Sequence, residues 1–149
     1  MFTVEIIGRD ARINFESAHM IPESDKCRHL HGHSYFVNAR ITGESKESML
    51  VDFTELKKRL REIASTMDHR MLIPSKDHRF RTEGESITAE IDGRSYVFAR
   101  EDCFMLDAEA CTAELIAMHI HRELTENAGE FKVAVGVEEG LGSVAWYEP

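Results

Sequence analysis

The chain has 149 residues, 42% hydrophobic and 30% charged, the length and composition of one globular domain and not of a disordered chain. Lys and Arg total 18 against 27 Asp and Glu, a formal net charge of −9, which argues against nucleic-acid binding and requires a local basic patch for any anionic ligand. No apolar run reaches 18 residues, no basic start leads into a long apolar stretch, and the three cysteines form no CxxC pair, so no membrane span, no signal peptide and a reducing, cytoplasmic setting are predicted.

Residues 2–18 alternate loosely and are rich in Val, Ile and Phe; they predict a strand or a bent pair of strands broken near Gly8-Arg9-Asp10. Residues 20–30 carry Pro, Ser and several charges and predict a loop. A strand follows over 31–42, with His31, His33, Tyr35, Val37, Ala39 and Ile41 on one face, ended by residues 43–48. Asp52 is placed to cap a helix, with Glu55 as the reciprocal partner of a capping box. Phe53, Leu56, Leu60, Ile63 and Met67 form its apolar stripe. Residues 74–110 are less regular, but Asp92-Gly93 between two β-rich runs marks a hairpin. A second helix is predicted from about Thr112 to Asn127, with Ile116, Ile120 and Leu124 on one side and Gly129 beyond its end. Residues 131–137 read as a strand, turned by Gly140-Leu141-Gly142 and returned by residues 143–147. Hairpin-connected strands in both halves with two helices between predict an α+β domain over residues 1–149: an antiparallel sheet with helices on one face and an extra hairpin inserted within about 74–110.

His31-Gly32-His33 is the sharpest chemical feature. Positions i and i+2 of a strand share a face, so both imidazoles converge. His19, at the end of the preceding strand, lies across from the start of this one if the two pair antiparallel. Three imidazoles suit Zn²⁺ and leave a fourth position for water or substrate. The bland alternative is a set of partly exposed strand histidines. Cys27 lies between Lys26 and Arg28, cations that favour a thiolate; it reads as a base or nucleophile, as a fourth metal ligand, or as inert. Cys103 and Cys111 sit among apolar residues and read as core. Asp68-His69 follows the first helix and reads either as an oriented acid–base pair or as a cation at the helix C-terminus. Glu114 in the first turn of the second helix complements the dipole. Glu139 continues the face of Val133, Val135 and Val137, where a carboxylate needs a partner such as paired N–H donors of a purine-like or pterin-like ring; the alternative is a frayed strand end in water. His119 and His121 point about 200° apart on a helix and cannot share a metal; His78 lies in a charged loop.

These pieces resemble the 6-pyruvoyl-tetrahydropterin synthase / 6-carboxytetrahydropterin synthase family. The resemblance is carried by Phe15-Glu16-Ser17-Ala18-His19, Cys27-Arg28-His29-Leu30-His31-Gly32-His33-Ser34-Tyr35, Val51-Asp52-Phe53, Met67-Asp68-His69-Arg70-Met71-Leu72, Thr112-Ala113-Glu114, and Val137-Glu138-Glu139 with Tyr147. It implies a T-fold (tunnelling fold) subunit, a four-stranded antiparallel sheet with two helices, in trimers stacked as a homohexamer with interfacial active sites. It implies Zn²⁺ on His19, His31 and His33, a catalytic set of Cys27, Asp68 and His69, and a pterin-anchoring Glu, for which the spacing to Tyr147 favours Glu139 over Glu138. The implied substrate is 7,8-dihydroneopterin triphosphate, a small molecule, with Glu114, Lys26 and Arg28 as further substrate-binding candidates. The Cys-x-x-x-His-Gly-His spacing resembles the carboxy-forming branch, a lyase that releases acetaldehyde and feeds 7-deazaguanine (queuosine or archaeosine) synthesis. The alternatives are the pyruvoyl-forming branch of tetrahydrobiopterin synthesis and a non-catalytic zinc-containing pterin- or purine-binding protein. The chain departs from the family pattern in its longer segment between Leu72 and Thr112, in Cys111 where Pro is usual, and in Gly140 where Thr is usual.

Overall fold

A computed structural model describes residues 1–45, 47–126, 129 and 131–149. The first two strands, β1 (Phe2–Ile6) and β2 (Asn14–His19), both pair antiparallel with the long β3 (His31–Gly43), β1 against its second half and β2 against its first. They are two arms of one bent strand, interrupted by the short helix α1 (Gly8–Ala11). Gly8 permits the interruption: a Cβ there would stand 2.3 Å from the Val37 carbonyl oxygen, a backbone contact that nothing can relieve.

Helix α2 (Phe53–Met67) starts where the Asp52 carboxylate accepts hydrogen bonds from the Thr54 and Glu55 N–H groups, at 2.7 and 3.2 Å. Among the described residues Glu55 makes no return bond, so the predicted capping box is half formed. Leu56, Leu60, Ile63 and Met67 are buried as the stripe predicts, but Phe53 is 52% exposed, because the first turn overhangs the sheet edge beside Ile7 and Lys57. Helix α3 (Ala113–Thr125) is capped by Thr112. The expected end at Asn127 lies outside the described residues. Both helices pack on one sheet face, Leu60 of α2 and Ile116 and Ile120 of α3 joining Phe15, Tyr35, Val37 and Val135 of the sheet in one core.

The sheet is larger than the four antiparallel strands expected. The bent β1/β2, β3, β9 (Lys132–Gly140) and β10 (Ser143–Tyr147) form that antiparallel core. β4 (Arg70–Pro74) and β8 (Cys103–Leu106) extend it in parallel beyond β2, giving seven strands. The inserted segment is likewise more than a hairpin. β5 (Phe80–Glu83), β6 (Ser86–Ile91) and β7 (Arg94–Ala99) make a separate three-stranded antiparallel sheet. Its hairpin turn is the one the sequence marks, with Asp92 at φ 52° and Gly93 at φ 73°. This small sheet packs Phe80, Ile87, Ala89 and Ile91 against Met20, Met71 and Ile73. Leu72, between Met71 and Ile73, enters the helix-side core instead. β4 is thus covered on both faces.

A three-histidine cluster between two clefts

β2 and β3 pair in the register that the sequence implies, with His19 opposite His31 and Ser17 opposite His33. The ring donor atoms of His19, His31 and His33 all lie within 4.8 Å of one another. Gly32, between the two β3 histidines, lets the strands close: a Cβ there would meet the Ser17 carbonyl oxygen at 2.8 Å. The opposite side of Gly32 therefore receives a backbone.

Backbone carbonyls fix two of the tautomers. His19 Nδ1 lies 2.7 Å from the Cys111 carbonyl oxygen, and His31 Nδ1 lies 2.6 Å from that of His29. A carbonyl only accepts, so each Nδ1 carries the proton and each Nε2 presents a lone pair. Those two Nε2 atoms are 3.0 Å apart. Two lone pairs facing each other repel, and a cation shared between them removes the conflict. The donor set fits a metal, with its outer carbonyls in the orienting role that metal-bound histidines commonly have. Burial, the largest cause, lowers the His19 pKa to about 4, helped by His31 and His33 and opposed by the Cys111 carbonyl. The neutral ring is the form a metal takes.

Tyr35 forms the floor. Its ring stacks on Phe15 with centroids 4.7 Å apart, and its hydroxyl oxygen lies 3.1 Å from His19 Nδ1. Burial drives the Tyr35 pKa upward, so the phenol stays protonated. The period-2 pattern places Tyr35 on the histidine face, yet gives no sign that its hydroxyl reaches back to His19.

Glu139 Oε1 stands 3.9 Å from His19 Nε2; with His19 neutral this is a dipolar contact, not an ion pair. Burial raises the Glu139 pKa, with His33 opposing and Glu114 adding to the rise. Glu139, Glu114, Thr112 and His33 share a cleft of about 580 Å³ between the start of α3 and the end of β9. Glu138 points to the other face. Its carboxylate accepts from Arg9 Nε at 2.7 Å and from Asn38 Nδ2 at 2.9 Å, partners that sequence separation hides.

Asp68 and His69 are joined. His69 Nδ1–H donates to Asp68 Oδ2 at 2.9 Å, and Asp68 Oδ1 accepts from the Glu16 N–H at 2.8 Å. That backbone bond is the largest of the effects holding the Asp68 carboxyl below its ordinary pKa. His69 has φ +57°, and its N–H donates to the Glu16 carbonyl at 2.7 Å. A β-branched residue could not adopt that backbone without cost. His69 opens into a second cleft of about 640 Å³ with Glu16, Ser34, Met71 and Phe98, on the sheet face away from the helices. One chain therefore brings the three histidines to Glu139 and Glu114, and holds Asp68 and His69 on the far side of the same ladder.

Cys27 is half-buried in the loop between β2 and β3. Its carbonyl accepts from the Ile21 N–H at 2.8 Å and its N–H donates to Ser24 Oγ at 3.2 Å. It does not join the metal-donor group. The loop is tied to the inserted sheet on two sides. Arg79 bridges Glu23 to the buried Asp77, and Arg28 bonds Asp92 at the hairpin tip at 2.5 Å. Lys26 is exposed. Cys103 and Cys111 are free thiols, Cys111 fully buried in the core. His121 Nε2–H donates to the Val133 carbonyl, and His119 packs on Phe104; neither belongs to the cluster. No helix among the described residues is long and apolar enough to cross a membrane.

Comparison with known proteins places this geometry. The family model described as 6-pyruvoyl tetrahydropterin synthase matches residues 10–149. A protein of Methanocaldococcus jannaschii is 28% identical over 155 aligned residues, covering 97% of this chain and 94% of that one. One of Pyrococcus abyssi is 34% identical, covering 78% and 72%. Both bear the name "Putative 6-carboxy-5,6,7,8-tetrahydropterin synthase". The crystal structure of Plasmodium vivax 6-pyruvoyl tetrahydropterin synthase superposes with a TM-score of 0.87 over all of this chain and 99% of that one, at 21% identity, a likeness of fold. The α+β T-fold and the spacing of its motifs agree, and the chain belongs to the 6-pyruvoyl tetrahydropterin synthase family as a lyase of the 6-pyruvoyl- and 6-carboxytetrahydropterin synthase type.

Proposed function

We propose that the protein is a zinc-dependent 6-carboxy-5,6,7,8-tetrahydropterin synthase, converting 7,8-dihydroneopterin triphosphate and one water to 6-carboxytetrahydropterin, acetaldehyde and triphosphate for 7-deazaguanine synthesis. The observation that carries this reading is the convergence of His19, His31 and His33 on one point with Glu139 at 3.9 Å in the same cleft. The names of the archaeal relatives support the carboxy-forming branch, as does the Cys-x-x-x-His-Gly-His spacing of Cys27, His31 and His33.

His19, His31 and His33 would hold the zinc, which as a Lewis acid supplies polarisation of side-chain hydroxyls. The Glu139 carboxylate accepts paired N–H groups of the pterin ring, and Glu114 lines the same cleft. Cys27, as thiolate, takes a proton from the substrate side chain. His69, held through Nδ1 by Asp68, offers Nε2 for a second proton transfer. Because His69 opens on the other sheet face, the set is completed when the His69 cleft of one copy meets the histidine cleft of another, as in a homohexamer. Triphosphate departs as the carbon skeleton rearranges.

The test is incubation of zinc-loaded protein with 7,8-dihydroneopterin triphosphate, with products identified by mass spectrometry and Cys27→Ala as control. Acetaldehyde with 6-carboxytetrahydropterin, absent in the control, is the expected result. A 6-pyruvoyl product would transfer the protein to the other branch. Bound but unchanged pterin would replace the enzyme reading with that of a binding protein.

A further inference from the structure

We propose that the cleft between the Cys27 loop and the tip of the β6–β7 hairpin is an oligophosphate site, with Arg94 and Arg28 as its grips; as the seat of the substrate's phosphate chain it rests on the reading above. The cleft has a volume of about 190 Å³ and is lined by Arg28, His29, Ile91, Asp92, Arg94 and Tyr96. Two guanidinium groups, an imidazole and a phenol thus converge with a single carboxylate, on a chain whose net charge is −9. That is the local basic patch that a highly charged anion needs on an acidic protein.

The turn builds the site. Asp92 and Gly93 both have positive φ, which reverses the chain within two residues and places Arg94 at the start of β7, beside the loop. Asp92 bonds Arg28 Nη1 at 2.5 Å, so one N–H of Arg28 is committed and the others remain to donate. Arg94 has no carboxylate partner among the described residues. A guanidinium matches two phosphate oxygens at once, which makes arginine the residue suited to such chains.

The position suits a phosphate tail. His31 Nδ1–H donates to the His29 carbonyl, so the backbone that bears the cluster also forms the cleft wall. Arg28 precedes His31 by three residues, and their Cα atoms lie no more than about 11 Å apart. A substrate whose side-chain hydroxyls sit at the cluster projects its phosphates over about that distance. The inserted sheet thereby acquires a role: it carries half of the phosphate grip and locks the other half, Arg28, in the Cys27 loop.

Inorganic tripolyphosphate probes the site without the pterin. The zinc-loaded protein, Arg94→Ala, Asp92→Asn and Arg81→Ala are titrated by calorimetry at fixed ionic strength, with zinc content measured before and after. Asn tolerates the positive φ of position 92, and Arg81, exposed on β5, controls for net charge. Arg94→Ala is expected to bind about tenfold more weakly. Asp92→Asn is expected to bind several-fold more tightly, since it removes the one competing carboxylate; a merely structural Arg28–Asp92 tie would make this variant weaker. Arg81→Ala is expected to match the unaltered protein. Equal affinity in Arg94→Ala, weaker binding in Asp92→Asn, or no binding by the unaltered protein overturns the proposal. Pterin turnover separates the two readings. Turnover with Arg94-independent tripolyphosphate binding removes this site and leaves the enzyme. Arg94-dependent binding without pterin turnover keeps the site and removes the enzyme.

Discussion

Replacing Gly32 by Ala tests whether the ladder under the histidines is as tight as its geometry indicates. The added Cβ would stand 2.8 Å from the Ser17 carbonyl oxygen and 3.4 Å from its carbon, about half an ångström inside ordinary contact, and both atoms are backbone. Relief requires β2 and β3 to part between His19 and His31 on one side and Ser17 and His33 on the other. Overpacking of this kind costs about 1–3 kcal/mol. Ala regains about 0.5–1 kcal/mol by restricting the unfolded chain, leaving a net destabilisation of about 1–2 kcal/mol. For a chain of this length that lowers Tm by roughly 3–6 °C. The same displacement spreads the ring nitrogens, and a metal affinity loss of about 10–100-fold is expected, the scale seen when orienting groups around a metal are disturbed. Thermal unfolding by circular dichroism, with and without zinc, and zinc titration against a chromophoric chelator measure both. An unchanged or raised Tm with unchanged zinc affinity would refute the reasoning, since it would mean that Ser17 does not press on position 32.

Cys27→Ala is expected to keep one zinc per chain by elemental analysis while losing turnover by about 10²-fold or more; zinc loss would make Cys27 a ligand. Cys27→Ala and His69→Ala, each inactive, are expected to recover about a quarter of native activity when unfolded together and reassembled in equal amounts, because a site at an interface takes its two halves from different copies; persistent inactivity would place both halves in one chain. Asp77→Ala is expected to cost about 2 kcal/mol, discounted from the value for a fully buried pair because Arg79 is 30% exposed. Burial raises the Asp77 pKa, but the hydrogen bonds from Arg79 outweigh it and the net shift is downward from 3.8. Its stabilisation is therefore complete above the ordinary Asp range and is lost as pH falls below it. The gap between native protein and variant, measured by urea unfolding, should narrow from pH 6 to pH 3; a constant gap would show that the charge of Asp77 contributes nothing.

Where the sequence is legible, local chemistry decides the structure. Asp52 caps α2, Asp92-Gly93 turns its hairpin, and alternation along β3 puts His31, His33 and Tyr35 on one face. The strands it conceals are those without alternation. Met71-Leu72-Ile73 is apolar throughout because β4 faces the helices through Leu72 and the inserted sheet through Met71 and Ile73, as buried parallel strands do. β8 is only four residues long and pairs with β4 alone. Phe53 has the spacing of a core residue but lies at the overhanging first turn, where periodicity carries no information about what the helix meets. The surroundings of Glu138 and Glu139 also needed three dimensions. Period 2 sends them to opposite faces, but only the structure shows that Arg9, 129 residues away, neutralises the first and leaves the second in the cleft.

The ladder of β2 and β3 works as a partition with chemistry on both sides. On the helix side it presents lone pairs, with tautomers set by the Cys111 and His29 carbonyls. On the other it presents the Asp68–His69 pair, fixed by two backbone bonds to Glu16 and by the positive φ of His69. Both halves are preorganised by main-chain groups, which do not relax when a substrate enters. The Cys27 loop is held by side chains instead. It is pinned to the inserted sheet by two arginines, Arg79 through Glu23 and Arg28 through Asp92. A change confined to the segment between β4 and α3 would therefore alter the surroundings of Cys27 and leave His19, His31 and His33 in place. On this account, changes in β5–β7 should shift substrate affinity and leave zinc binding untouched.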